Sequence, residues 1–409
     1  MQIIFLVTYL VVQLIEYFLQ YLNLYHIRKY GDQVPPEFEG VIDVNALVKT
    51  RNYTVDNMKL DFLSDGISIA LQLVFIFGGW LSIYNSWILS LSSSFIIQGL
   101  LFFAILGAIK FLISIPFDIY ETFYLEEKYG FNTKTISLWI TDSIKSIIIS
   151  LILFGLIGSA AFWIIQHNQT TWWIWTWLFF MIISLFMMYI SPYVLEPLFN
   201  KFTPLDDDDE LSTRLRALMA NAGLSISRVF KIDASRRSKH SNAYFTGIGR
   251  VKRIVLYDTL LDLMSHNEIL AVLAHEAGHW KKKHILKHIV VAQILGLVSI
   301  FIGYQILASG LLIGYFQIIQ SSFFANLYLL FFLSSIISFL QTPLMSIWSR
   351  KHEWEADRFA TRLIGNSHDL ATALQKLSKD NLSNLHPHPW FAKIYYSHPP
   401  VIERLKKLL

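Results

Sequence analysis

Apolar residues fall into seven long runs, near residues 2–21, 64–86, 95–117, 145–166, 172–194, 287–309 and 323–346. Crossing roughly 30 Å of hydrocarbon takes about 20 helical residues, so each run predicts a transmembrane helix. The first run has no basic segment before it and no small-residue cleavage site after it, so it reads as an anchor and not a signal peptide. Tryptophans crowd "TTWWIWTWLFF" at 170–180, the composition expected where a helix enters a membrane interface.

Between the fifth and sixth runs the pattern changes. "DDDDELSTRLRALMANAGL" (206–224) opens on acids that suit a helix N-terminus and continues as an amphipathic helix to Gly223. "SRVFKIDAS" (227–235) and "NAYFTGIGRVKRIVLYD" (242–258) predict short strands, the second broken at Gly247-Ile248-Gly249 into a hairpin. "SHNEILAVLAHEAGHW" (265–280) predicts a helix whose start carries Ser265 and Glu268 in capping-box spacing. The 22–60 loop, with Gly31, Pro35 and Pro36, reads as irregular.

Composition agrees with a membrane protein. Of 409 residues, 54% are hydrophobic and 16% charged, against about a quarter charged in soluble domains. With seven spans, segments 22–63, 118–144, 195–286 and 347–409 share one side. That side, with its span edges, carries every Lys and Arg except Lys110, 33 of 34. The positive-inside rule therefore places the large segments in the cytosol. Lys110 and Glu16 lie inside predicted spans; such charges either pair structurally or line an internal aqueous space. No cysteine is present, so any metal site must use His, Asp and Glu.

"AVLAHEAGHW" (271–280) supplies such a set. His275 and His279, four apart, share one helix face and can direct both imidazoles at one zinc ion. Glu276, rotated about 100° from His275, lies beside that ion, where a carboxylate can act as base toward water the metal has made acidic. A chance H-E-x-x-H in this composition has a probability of roughly 1%, so a third ligand must decide. "SRKHEWEADRFA" (349–360) offers one: Glu353 could close a His2Glu site with an open fourth position. Asp357, one turn later, could accept from the far nitrogen of a zinc histidine. A second pair at the same spacing, His284 and His288, has no glutamate after its first member and carries little weight as a ligand pair.

Five segments in this order resemble the Ste24 family of CAAX prenyl proteases, integral-membrane zinc metalloproteases of the M48 type: "KHSNAYF", "RIVLYDTLL", "HEAGHW", "SRKHEWEAD" and "YSHPPVIERL". "YLEEKYGFN" (124–132) and "PLFNKFTPL" (197–205) look like family segments too. The resemblance implies an all-α membrane protein, seven transmembrane helices forming an α-barrel around a chamber, with a cytosolic zincin-like α+β metalloprotease region. It implies one zinc per chain on His275, His279 and Glu353, Glu276 activating water, and Asp357 supporting the ligands. Asn242 and His398 would contact the substrate or the tetrahedral intermediate, and the strand near 243–245 could pair with an extended substrate.

The implied division is 1–195 for helices 1–5, 196–286 for the metalloprotease segment, 287–346 for helices 6–7, and 347–409 to complete the zinc site. The implied reaction is hydrolysis near the C-terminus of prenylated CAAX-type substrates, releasing the last three residues. The expected partners are a peptide or protein substrate and the lipid bilayer; no nucleic acid is expected, and the chain reads as a monomer. Compact loops and an isoleucine-rich, cysteine-free composition favour a bacterial inner membrane, while the terminal "KKLL" looks like a retrieval signal of the endoplasmic reticulum. Two competing readings are a quality-control metalloprotease without prenyl dependence and a seven-span transporter or receptor with a structural zinc.

Overall fold

The structure, a computed structural model, describes residues 2–206, 209–246, 252–316 and 318–409. The N-terminal part runs α1 (Gln2–Tyr30), α2 (Val44–Phe77), α3 (Trp80–Leu91) and α4 (Phe95–Tyr120), which passes through a π-helical turn into α5 (Glu126–Tyr129). Helices α6 (Ile136–His167) and α7 (Trp172–Val194) follow. A polar segment then forms β1 (Phe202–Pro204), α8 (Glu210–Asn221), β2 (Ile226–Ile232), β3 (Ala243–Thr246), β4 (Lys252–Tyr257), α9 (Asp258–Leu263) and α10 (His266–Lys281). The chain ends with α11 (His284–Ala308), α12 (Leu311–Phe316), α13 (Phe323–Ile364), α14 (His368–Asp380), α15 (Pro389–Tyr395) and α16 (Val401–Leu408).

Seven of these helical stretches are long and apolar enough to span a membrane, matching the seven predicted runs. Most of their surface is not packed against protein; the most apolar window of α11 contains no buried residue. That is what helices facing lipid outside and an open lumen inside require. The core among them is an aromatic cluster at the end remote from α10, where Tyr9, Phe102, Phe162, Phe316, Phe324 and Phe332 meet.

Several helix limits differ from the hydropathy pattern. Helix α1 runs on to Tyr30, α2 already starts at Val44 and α6 at Ile136. Most of the 22–60 segment expected to be irregular is therefore helix extending past the apolar runs. The run at 64–86 is not one helix: α2 stops at Phe77, Gly79 takes φ 82°, and α3 starts at Trp80. Left-handed backbone suits glycine, so a Gly-Gly pair inside an apolar run turns the chain where hydropathy sees none. The last span does not end near 346. Helix α13 continues unbroken to Ile364 and ends on left-handed Gly365, so "SRKHEWEAD" is the polar extension of a membrane helix.

The sheet has order β1-β2-β4-β3, with β2 parallel to β4 and the other pairs antiparallel. Strand β1 has no counterpart in the sequence reading; three residues are too few for a period-2 signal. The turn expected at Gly247-Ile248-Gly249 lies outside the described residues, although β3 and β4 pair antiparallel as a hairpin would. Beneath the sheet, α8, α10 and α14 close a core around Leu215, Met219, Ile254, Leu256 and Leu273.

The capping box at the start of α10 forms as its spacing predicts, with both the side-chain and backbone bonds between Ser265 and Glu268. Lys376 Nζ of α14 adds an ion pair to Glu268 at 2.8 Å. Burial alone would raise the Glu268 carboxyl; Lys376 and Ser265 outweigh it and hold it below its ordinary value. A depressed carboxylate stabilises the fold above its unfolded pKa of about 4.3 and loses that contribution as pH falls through the lower folded value. Glu268→Gln is therefore expected to lower thermal stability at neutral pH and to flatten its pH dependence below about 4.3. Thermal unfolding of the detergent-purified protein across that window checks both.

Candidate active site

Helices α10 and α13 cross closely because Gly278 lets them. A Cβ there would lie 3.0 Å from the Ala356 Cα and 3.2 Å from its carbonyl oxygen, both backbone. Gly278 is one turn past His275, and Ala356 stands between Glu353 and Asp357. The close contact thus sets the distance between the two halves of the site. Gly278→Ala should push the helices apart, at about 1–3 kcal/mol for overpacking, more than the ~1 kcal/mol gained in helix propensity. Thermal unfolding and zinc titration of that variant test it.

Across this contact the two imidazoles and a carboxylate converge. His275 Nε2 and His279 Nε2 are 3.1 Å apart. Glu353 Oε2 lies 3.4 Å from His275 Nε2, and Glu353 Oε1 lies 3.3 Å from His279 Nε2. All three can offer one ligand atom to a common point, since the three atoms lie within 4.8 Å of one another. His275 and Glu353 are 7% and 3% exposed.

Three further observations fit a cation there. Glu353 Oε2 is buried with no hydrogen bond among the described residues. It has only longer ion-pair contacts, to His275 Nε2 at 3.4 Å and Arg404 Nη1 at 3.9 Å, which leaves it a lone pair to offer a metal ion. Burial by itself would push the His275 pKa down, yet its hydrogen bond to the Asp357 carboxylate and the nearby Glu353 carboxylate outweigh it and raise it to about 9. The donor set is also two imidazoles and one carboxylate, the set zinc takes in open sites. Glu276 is half-buried on the next position of α10 and has no hydrogen-bond or ion-pair partner among the described residues.

The other expected residues are placed as follows. His275 Nδ1 donates to Asp357 Oδ1 at 2.8 Å, the support the spacing suggested. His398, in the loop before α16, brings Nε2 to 3.3 Å from Glu353 Oε1, and its Nδ1 pairs with Ser397 Oγ at 2.9 Å. Desolvation lowers the His398 pKa, opposed by Glu353 and helped by Arg404, His275 and His279. Asn242 is exposed just before β3, where its Oδ1 accepts from Ala243 N. Among the described residues no hydrogen bond or ion pair joins it to the His/Glu cluster. Strand β3 is an edge of the sheet, with β4 as its partner.

Several residues escaped the sequence reading. Arg404 of α16, 8% exposed, clamps Asp357 bidentately: Nε donates to Oδ2 at 2.9 Å and Nη2 to Oδ1 at 2.6 Å. It lies in "YSHPPVIERL", yet nothing local marks it, because its partner is 47 residues away. His240 joins the end of the third span to the protease region, with Nε2 3.3 Å from Glu126 Oε2 and Nδ1 3.2 Å from Asn381 Oδ1. Beside it Ser241 Oγ donates to Asp380 at 3.1 Å, so both residues brace the entry to β3.

Seven membrane helices carrying an H-E-x-x-H helix that faces a glutamate of the last span define a membrane-embedded metallopeptidase. Residues 206–409 match the model of peptidase family M48, and residues 20–201 match that of the CAAX prenyl protease N-terminal region, described as five membrane helices. The chain is 36% identical to CAAX prenyl protease 1 of Saccharomyces cerevisiae, across 96% of this chain and 92% of that protein. It is 34% identical to the CAAX prenyl protease 1 homolog of Arabidopsis thaliana, across 92% and 90%. The crystal structure of S. mikatae Ste24p superposes with a TM-score of 0.89 at 33% identity, across 99% of this chain and 98% of that one. The chain belongs to the M48 family, as a CAAX prenyl protease of the Ste24 type. It is a multi-pass integral membrane metalloprotease with the α-barrel fold, and zinc is its metal.

Proposed function

We propose that this protease hydrolyses a peptide bond near the C-terminus of prenylated CAAX-type proteins, with His275, His279 and Glu353 holding zinc. The observation that carries the reading is the convergent His2Glu set, with His275 and Glu353 buried and His279 half-buried, and beside it Glu276, which has no hydrogen-bond or ion-pair partner among the described residues. The substrate class comes from the relatives, which are named CAAX prenyl proteases.

When bound, zinc supplies Lewis acidity that polarises the scissile carbonyl and makes water acidic near neutral pH. The residues of the chain do the rest. Glu276 takes a proton from water at its carboxylate and passes it to the leaving amine. His398, with its Nδ1 accepting from the Ser397 hydroxyl, presents an Nε2–H to the developing oxyanion. The free edge of β3 pairs with an extended substrate, and Asn242 donates to it from the start of that edge. Asp357 holds His275 in the tautomer that leaves Nε2 free to ligate.

The active-site side is cytosolic in this reading, since nearly all the Lys and Arg lie there. The cysteine-free chain suits a direct test: one cysteine at exposed Glu210, labelled with an impermeant maleimide. Labelling from outside intact cells would overturn the orientation. For the compartment, composition favours a bacterial inner membrane. A retrieval role for Lys406 and Lys407 would have to undo packing, since Lys407 Nζ lies 3.5 Å over the Trp354 ring and Leu408 is buried.

The test of substrate class compares a farnesylated C-terminal CAAX peptide with its unprenylated twin, using purified protein before and after chelation. Release of the terminal tripeptide from the farnesylated peptide, lost on chelation and restored by zinc, is expected. Equal cleavage of both peptides would favour a quality-control protease. Glu353→Ala is expected to drop bound zinc well below one per chain; full occupancy would place the third ligand elsewhere.

A further inference from the structure

His284 and His288 have the spacing of a ligand pair, and in sequence they look idle. The structure gives His284 a different position. Helix α10 ends at Lys281, and Lys283 takes φ 57°, the left-handed region that a lysine enters only at a cost. That turn folds His284, the first residue of α11, back beneath the zinc histidine His279. His284 is 1% exposed, and its Nδ1 lies 3.1 Å from His279 Nδ1. Its Nε2 lies 3.0 Å from Glu355 Oε2.

The direction of these bonds follows from the His279 ring. Its Nε2 points to His275 Nε2 and Glu353 Oε1, at 3.1 and 3.3 Å. If Nε2 ligates, Nδ1 must carry the proton, so His279 Nδ1–H donates to His284 Nδ1. His284 then carries its own proton on Nε2 and donates it to the Glu355 carboxylate. One arrangement satisfies all four nitrogens and the carboxylate. The His284 ring is itself held flat by His352, stacked on it at 4.0 Å and 10°, and His288 Nε2 meets His352 Nδ1 at 3.1 Å.

We propose that Glu355 and His284 form a positioning relay that fixes the tautomer and orientation of His279, as Asp357 and Arg404 do for His275. The inference rests on the zinc reading above. Each imidazole ligand then ends on a carboxylate of α13, one directly and one through a second imidazole. Glu355 stands about 200° round the helix from Glu353, so α13 serves the ligands from two faces.

Zinc competition against a chelator of known affinity, on detergent-purified protein, tests the relay. His284→Leu should raise the zinc Kd by about 10–100-fold, the usual effect of losing such a support. His284→Asn, whose Oδ1 can accept from His279 Nδ1, should recover most of that loss. Under saturating zinc, His284→Leu should lower kcat more than it changes KM, and the cobalt-substituted protein should show a shifted visible spectrum. His284→Leu with a zinc Kd within twofold of wild type, or no recovery in His284→Asn, overturns the proposal. His279→Ala serves as control: full zinc retention there would sink the ligand assignment and not the relay alone. If His284→Leu does not fold, Glu355→Leu and Glu355→Gln decide. A weaker zinc Kd in the first, recovered in the second, supports the relay; wild-type affinity in both overturns it.

Discussion

Glu276→Gln is expected to bind one zinc per chain with unchanged affinity and to lose turnover by about 10²–10⁴-fold. The substitution removes a proton acceptor and no metal ligand. It keeps the shape of a side chain that is half-buried and makes no hydrogen bond among the described residues, so the fold loses nothing. Metal analysis, a chelator competition and cleavage of the farnesylated peptide together read the three parts. Loss of zinc in this variant would mean that Glu276 coordinates the metal. Activity near wild type would mean that water is activated by another group, with His398 the nearest candidate. A transporter or receptor with a structural zinc would leave Glu276 without a task and would tolerate the change.

Arg404→Met should be the most destabilising single change at the site. Arg404 and Asp357 are 10% and 4% exposed at the side chain and bonded through two nitrogens. Deleting Arg404 leaves the buried Asp357 carboxylate with only its His275 Nδ1 bond among the described residues, a loss approaching the ~3–5 kcal/mol of breaking a buried pair. Zinc affinity should fall with stability, because Asp357 would no longer be held at His275 Nδ1. Thermal unfolding with and without added zinc measures both. An unchanged midpoint in apo protein would show that solvent already reaches Asp357. Replacing Arg404 by lysine should recover little, since an ammonium cannot reproduce the fork that meets both Asp357 oxygens.

How much was legible before the structure varied by element. The seven spans were, because hydrocarbon leaves a chain no alternative to long apolar helices. The start of α10 was, because Ser265 and Glu268 are three residues apart and solve a local problem. The placement of His275 and His279 on one face with Glu276 beside them was, since a helix brings residues one and four apart onto adjoining positions. Glu353 and Asp357 could be nominated from their own spacing, but their meeting with α10 depends on Gly278, whose missing side chain says nothing until Ala356 is seen against it. Hydropathy also placed the end of the last span too early. A helix continues past the membrane boundary with no change in backbone hydrogen bonding, and only left-handed Gly365 stops it.

By itself, then, the sequence determined the periodic and local features: the spans, the sidedness of charge, the cap and the H-E-x-x-H face. Each depends on residues within a few turns of one another, and one-dimensional order preserves that information. Only the tertiary structure decided which distant groups complete them. Arg404 reaches Asp357 across 47 residues, His240 reaches Glu126 across 114, and Glu355 reaches His284 across 71. These partners are ordinary charged side chains whose chemistry comes from exclusion of water, and burial is a property of the packed fold and not of any stretch of chain.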